Sequence, residues 1–218
     1  MKAHARSVRS LLAIFLIALV FFELLAYSTT TTHPQETYFE FYVLGSKENF
    51  GNYYPNNSSY LKVGENIEWN VGVTNRMGSI QLVSIRLKLG NQSIDPPNDT
   101  MGLPSPAPLL TEFERFVPNN QTWEFPLDWQ IGNYTTSADG HVEIRDLQIN
   151  NVTYALGGLV TCLSISSCSF RLIIELWVWN VGTGNFQITW WNGEEERMVW
   201  LQLWFELGQG VVPPPPQK

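Results

Sequence analysis

Charge is scarce in this chain, and positive charge is scarcest. Of its 218 residues 15% are charged, with 13 Lys and Arg against 20 Asp and Glu, for a formal net charge of −7. Lys2, Arg6 and Arg9 all stand at the extreme N-terminus, so the remaining chain is more acidic still. Such a body repels phosphate, and no basic patch with interleaved aromatics interrupts it, which argues against nucleic acid as a partner. Histidine is limited to His4, His33 and His141, and cysteine to Cys162 and Cys168. Two of the histidines lie outside the region patterned to fold and His141 stands alone, so no metal site is expected. A serine or cysteine nucleophile needs a base within reach. His141 is the one candidate, and no Gly-x-Ser-x-Gly turn accompanies any serine. Acidic residues are numerous enough that a glycosidase-like carboxylate pair can be nominated anywhere, which makes nomination empty. Phosphate-cradling glycine loops and calcium-loop spacings are missing. The expectation is a protein without cofactor and without enzymatic activity.

Apolar and aromatic residues are plentiful instead: 44% of the chain is hydrophobic, with 9 Trp, 8 Tyr and 12 Phe. That is ample material for a core, and the aromatic excess favours strands. The apolar run Leu11 to Phe22, extended past Glu23 to Tyr27, would rise roughly 25 Å as a helix, slightly short of a bilayer core of about 30 Å. Basic residues precede it and none follows closely, so its N-terminal side is expected in the cytoplasm. Three readings fit: a cleavable signal peptide, an uncleaved signal-anchor over residues 1–27, or an archaeal pilin leader cut between Ser10 and Leu11. All three export the remainder of the chain. We take the signal-anchor as the working expectation, with a Thr-rich stalk over 28–36, a folded ectodomain over 37–208 and a Pro-rich tail over 209–218.

Two further features point to an exterior, oxidising compartment. Asn-x-Ser/Thr triplets begin at Asn56, Asn57, Asn91, Asn98, Asn120, Asn133 and Asn151, where chance would supply roughly two. Most lie on polar stretches between apolar runs, where a glycan can meet solvent; Asn151 adjoins the strand-like Val152-Thr153-Tyr154. Cys162 and Cys168 flank Leu-Ser-Ile-Ser-Ser, a spacing that suits a disulfide closing a short loop or stapling a hairpin.

Beyond residue 37 the hydrophobic period is two. Phe39, Phe41 and Val43 alternate with Glu40 and Tyr42. Trp69, Val71 and Val73 do the same, as do Val83, Ile85, Leu87 and Leu89 against Ser84, Arg86 and Lys88. Pro96, Pro97, Pro104, Pro106 and Pro108 make the next segment a long irregular loop. Strands resume near Thr111 to Phe116, at Trp123, Phe125, Leu127 and Trp129, and at Val142 and Ile144. Late in the chain, Leu172, Ile174, Leu176 and Val178 form one row, and Val199, Leu201, Leu203 and Phe205 another. Asn192-Gly193 before Glu194, Glu195 and Glu196 reads as a solvated hairpin tip. Seven to ten short strands without an amphipathic helix predict an all-β fold, an antiparallel immunoglobulin-like sandwich.

If the two late strands pair, Trp177, Trp179, Trp200 and Trp204 share the face opposite the aliphatic rows. Exposed, that strip could stack on sugar rings or anchor a protein; covered by the Pro-rich loop or another sheet, it is a second layer of core. Trp190 and Trp191 are a weaker candidate of the same kind.

The stretches Glu40-Phe41-Tyr42-Val43-Leu44-Gly45, Tyr54-Pro55, Val63-Gly64-Glu65-Asn66 and Val71-Gly72-Val73-Thr74-Asn75 resemble an archaeal family of unknown function, numbered sixteen-sixteen. Thr122-Trp123-Glu124 and Leu201-Gln202-Leu203-Trp204 extend the resemblance patchily. It implies an extracytoplasmic immunoglobulin-like sandwich on an archaeal surface and no activity. The chain departs from the family in having one apolar segment and extra sequence around the cysteines. The expected function is a membrane-anchored surface protein touching an envelope protein or glycan, alone or as a homo-oligomer. Alternatives are a pilus-like filament subunit and a carbohydrate-binding module using the Trp face.

Overall fold

The computed structural model describes residues 15–25, 27, 36–158, 160–162 and 168–207. The chain divides into two units, Met1–Glu36 and Thr37–Lys218. In the first, residues 15–25 are helical, and Phe15, Ile17, Phe21, Phe22 and Leu25 are all exposed around the helix. Among the described residues no helix is long and apolar enough to cross a membrane. Residues 11–14 of the apolar run, most of the Thr-rich stretch and the Pro-rich tail lie outside the described residues.

The second unit is built from strands, numbered here in chain order. Sheet A has the order β1 (Phe39–Leu44), β3 (Ile67–Asn75), β6 (Thr122–Thr136), β7 (Val142–Ile149), β8 (Val152–Ala155), with β9 (Thr161–Cys162) also on β7. Sheet B has the order β2 (Tyr60–Leu61), β14 (Trp200–Leu207), β10 (Ser169–Asn180), β4 (Gln81–Asn91), β5 (Leu109–Val117), with β11 (Asn185–Gln187) also on β10. A small hairpin pairs β12 (Trp190–Trp191) with β13 (Glu196–Arg197). Every ladder is antiparallel except the short β2–β14 pair.

The inward rows are those the alternation predicts. Trp69, Val71 and Val73 of β3, Leu127 and Trp129 of β6, Val83 to Leu89 at alternate positions of β4, and Leu172 to Val178 of β10 are buried in one core. An aromatic chain crosses it from sheet to sheet. Trp69 meets Trp129 edge-on at 5.2 Å, Trp129 meets Phe205 at 5.2 Å, and Phe205 stacks on Phe170 at 5.9 Å. Each such pair adds about 0.5–1.5 kcal/mol beyond its buried area. Pro126 is tolerated in mid-strand because β7 pairs with β6 only from Trp129 onward, which leaves the β6 edge at Pro126 without a ladder partner on that side.

Cys162 and Cys168 form a disulfide with Cα atoms 5.5 Å apart. It does more than close a loop. Cys162 belongs to β9 in sheet A, opposite Val142. Cys168 leads directly into β10 in sheet B. The bridge therefore joins the two layers at the point where the chain passes between them, and both cysteines are buried.

The outer faces of the two sheets differ from each other, and sheet B departs from the expected half-buried pattern. Along β4 and β10, Ser84, Lys88, Arg171, Ile173 and Glu175 are buried although they point away from the core. The Pro-rich segment between β4 and β5 meets Lys88, Glu175 and Arg171, while Ser84 contacts Glu112 of β5. Lys88 Nζ donates to Ser105 O at 2.6 Å and lies 3.0 Å from Glu175 Oε2, while the Ser105 N–H donates to Glu175 Oε1 at 2.8 Å. Burying a charge is tolerable only when it is paired and hydrogen-bonded; Lys88 and Glu175 pair with each other, and Ser105 of the loop hydrogen-bonds both. The irregular loop expected from its prolines is a fixed outer layer.

Candidate functional site

The four tryptophans of the outer face of sheet B are brought onto one face, because β10 and β14 pair with Glu175 opposite Trp200 and Arg171 opposite Trp204. They do not form a continuous bare strip. Trp177 is half-buried under the Arg86 guanidinium, 4.0 Å from its ring centroid, and its Nε1 donates to Glu175 Oε2 at 2.9 Å. Arg86 is itself held by Glu112 at 3.0 Å. Trp200 is half-buried, with Nε1 donating to Asp99 Oδ1 of the Pro-rich segment at 2.7 Å. Only Trp179 and Trp204 are substantially exposed, at 36% and 37%. Trp204 pairs with Arg171, and Trp177 lies six positions further along β10, about 20 Å at roughly 3.3 Å per residue. Between them sits the buried Lys88–Glu175 pair. The covered alternative holds at the centre of the face, and the open indoles are left at its two ends.

Trp190 and Trp191 separate in the same way. Trp190 packs edge-on against Phe39 at 5.1 Å, whereas Trp191 is exposed. The tip after them, Glu194 to Glu196, is solvated as the Asn192-Gly193 turn predicts.

A site that the alternation does not reveal lies between the free edge of β1 and β14. Here a cleft of about 430 Å³ is lined by Phe41, Tyr42, Phe50, Tyr53, Tyr54 and Trp204, together with Val43, Leu201, Gln202 and Leu203. The β1–β2 connection carries three of these aromatics and is tied to both sheets. Trp69 Nε1 of β3 donates to Tyr53 O at 2.5 Å, and Tyr54 Oη donates to Trp204 O of β14 at 2.7 Å. Tyr54 also meets Trp69 edge-on at 5.9 Å. The turn is tight enough that Gly45 cannot carry a Cβ, which would strike the carbonyl oxygens of Gly51 and Asn52. Gly72 is likewise required, because the Tyr42 ring lies directly over it.

Electrostatics in the cleft favour neutral groups. Desolvation, with the Glu124 carboxylate accepting from Tyr42 Oη at 2.9 Å, pushes the Tyr42 hydroxyl up to about 12. Burial pushes Tyr54 up as well. Arg171, stacked 4.6 Å from the Trp204 ring centroid, is lowered by desolvation. The signal for this site was the aromatic density of Phe50, Tyr53 and Tyr54 inside a Gly- and Asn-rich connection, where such residues need a packing partner.

A second, polar cavity of about 460 Å³ is lined by Thr135, Ser137, Asp139, His141, Glu143 and Arg145 among others. Ser137 Oγ donates to Asp139 Oδ1, whose carboxyl is lowered chiefly by that bond, and His141 Nδ1 lies 2.8 Å from Asp139 Oδ2. Both partners lean on the aspartate, so the contacts run serine–aspartate–histidine. A hydroxyl nucleophile needs the imidazole between the other two. Among the described residues no group of three or more His, Cys, Asp and Glu is placed to hold a metal ion.

The sequon asparagines fall into two classes. Asn56, Asn57, Asn98, Asn120, Asn133 and Asn151 are exposed. Asn133 is on strand β6, beside an irregularity in its pairing with β7. Asn151 sits with Asn150 at positive φ in the two-residue β7–β8 turn. Asn91 is buried, and its Nδ2 donates to Thr161 O at 2.6 Å while Oδ1 accepts from the Ser93 and Ile94 N–H groups. A sugar on that nitrogen has no room while the side chain stays buried against Thr161.

No family model matches the chain, and no curated protein matches it. Among solved structures it is similar to a β-glucosidase from Listeria innocua in complex with gluconolactone, at 9% identity and TM-score 0.35, over 81% of this chain and 17% of that one. It is also similar to the sporulation control protein Spo0M from Bacillus subtilis, at 7% identity and TM-score 0.35, over 79% of this chain and 50% of that one. The chain thus spans half or less of either protein, and likeness at this level carries no argument about function.

Proposed function

We propose that the chain is a non-enzymatic protein of an archaeal cell surface, held to the membrane by its N-terminal apolar segment and presenting a glycosylated sandwich outside. The observation that carries this reading is the character of the helix at 15–25. Glu23 is its single polar residue, and Phe, Leu, Ile and Val side chains are exposed around it. A helix apolar on every side belongs in lipid or in a protein interior. The buried inter-sheet disulfide supports an oxidising compartment, and the six exposed sequon asparagines could carry glycans without disturbing the fold. We read the sandwich as immunoglobulin-like because each sheet draws on both halves of the chain, β1, β3 and β6 in one and β4, β10 and β14 in the other. The resemblance to family sixteen-sixteen supports the archaeal assignment.

Intact-mass analysis of the protein extracted from its native membranes tests the reading. The expected result is an uncleaved N-terminus, a mass raised by glycans, and two hydrogens fewer than the reduced chain. Unglycosylated protein in the soluble cytosolic fraction would overturn it, and a new N-terminus at Leu11 would replace it with the filament subunit.

A further inference from the structure

We propose that the aromatic cleft between β1 and β14 is a binding site for a short neutral carbohydrate, whether or not the chain is exported. Sugars present apolar C–H faces and hydroxyl edges together, and the cleft offers a partner for each. Phe50 is 77% exposed at its rim, meeting Tyr42 edge-on at 6.2 Å, and Trp204 is 37% exposed on the other side. Arg171 occupies one face of the Trp204 ring, which leaves the opposite face for stacking. For the hydroxyl edges, the Tyr42 oxygen offers an acceptor, its own hydrogen being donated to Glu124. Gln202 is fixed by donation from Arg171 NH1 to its Oε1 at 2.6 Å, and so offers its amide N–H groups.

Charge decides the class of sugar. Asp, Glu, Lys, Arg and His are all missing from the lining, and Arg171 beside it is already engaged by Gln202, the Ile94 carbonyl and the Trp204 ring, so an anionic sugar would be desolvated with no free cation to meet it. An added peptide strand fits less well. Such a strand needs the carbonyls of a free edge, and Tyr54 already donates to the Trp204 carbonyl while its connection spans from one sheet to the other. The volume of about 430 Å³ lies within the roughly 300–1,000 Å³ of small-ligand sites.

The test is titration of the full chain, in a detergent without a sugar headgroup, with cellotriose, maltotriose and mannotriose. Intrinsic Trp fluorescence and calorimetry provide the readouts. We expect saturable binding of at least one trisaccharide with Kd below about 10 mM. Phe50→Ala and Trp204→Ala should each weaken it about fivefold or more, and Trp179→Ala, at the far end of sheet B, should leave it unchanged. Phe50 is exposed, so its replacement keeps the fold, and an unaltered unfolding midpoint verifies this. The proposal is overturned by no saturable binding of any of the three sugars. It is also overturned by binding indifferent to both Phe50→Ala and Trp204→Ala, or by a tetraproline peptide that occupies the cleft more tightly than any of the sugars.

Discussion

The two sheets share one core yet differ in the charge they carry on their outer faces. Sheet A alternates along β6 and the start of β3: Glu68 of β3 and Glu124 and Asp128 of β6 stand exposed while their neighbours Trp69, Trp123, Leu127 and Trp129 are buried, and only the end of β3, from Val71 to Asn75, is buried at every position. Sheet B repeats the inner pattern but buries Lys88, Arg171 and Glu175 on its outer side as well. The cause is the Pro-rich segment, which sheet A lacks. A sheet face becomes surface or second core according to what crosses it, and its own residue pattern does not settle which.

The sharpest way to break this comparison is to remove one charge from each outer face. Glu175→Ala leaves Lys88 buried beside Ser105 without its carboxylate and should cost about 3–5 kcal/mol. Glu124→Ala on sheet A, exposed and bonded only to the Tyr42 hydroxyl among the side-chain contacts above, should cost about 1 kcal/mol or less. Equal losses in urea unfolding would show that the covered face is not special.

A smaller effect tests the cover itself. Asp99→Ala removes the acceptor of the Trp200 indole and should lower stability by about 1 kcal/mol. It should also raise the accessibility of Trp200 to acrylamide quenching, and unchanged quenching would mean that the Pro-rich segment holds its place without Asp99.

The smallest effect is a pH dependence. The folded state raises the Tyr42 hydroxyl from 10.0 to about 12, mainly by desolvation and then through Glu124. The neutral phenol is favoured in the fold, so this contribution is fully present below pH 10 and is lost as pH rises through about 12. Absorbance titration at alkaline pH should show Tyr42 ionising late. Glu124→Gln should bring that titration down while leaving it above the ordinary tyrosine value, because desolvation remains. A return to the ordinary value would assign the whole shift to Glu124.

Much of the framework is legible in the sequence. Period-two patterning identified the inward rows of β3, β4, β6, β10 and β14, because each inner position needs an apolar side chain whatever strand it eventually faces. The pairing of the two cysteines was readable from their spacing, but not that the bridge joins opposite sheets, since that depends on where β9 and β10 lie. Trp177 and Trp204 were expected on one shared face. Their separation and the Arg86 and Arg171 caps follow from register, which one chain's spacing does not encode. Asn91 looked like any other sequon, and only its bond to Thr161, seventy positions away, distinguishes it.

By itself the sequence determined the strand character, the direction of each apolar row, the chain's acidity and the all-apolar N-terminal run. These are local properties, set by side-chain chemistry at fixed spacing. The aromatic cleft and the covered face of sheet B were decided by tertiary structure alone. Each depends on contacts between residues far apart in the chain: Tyr54 with Trp204, and Ser105 with Glu175. Burial of a polar group or exposure of an aromatic ring is a property of what packs against it, and that partner is chosen only when the chain has folded.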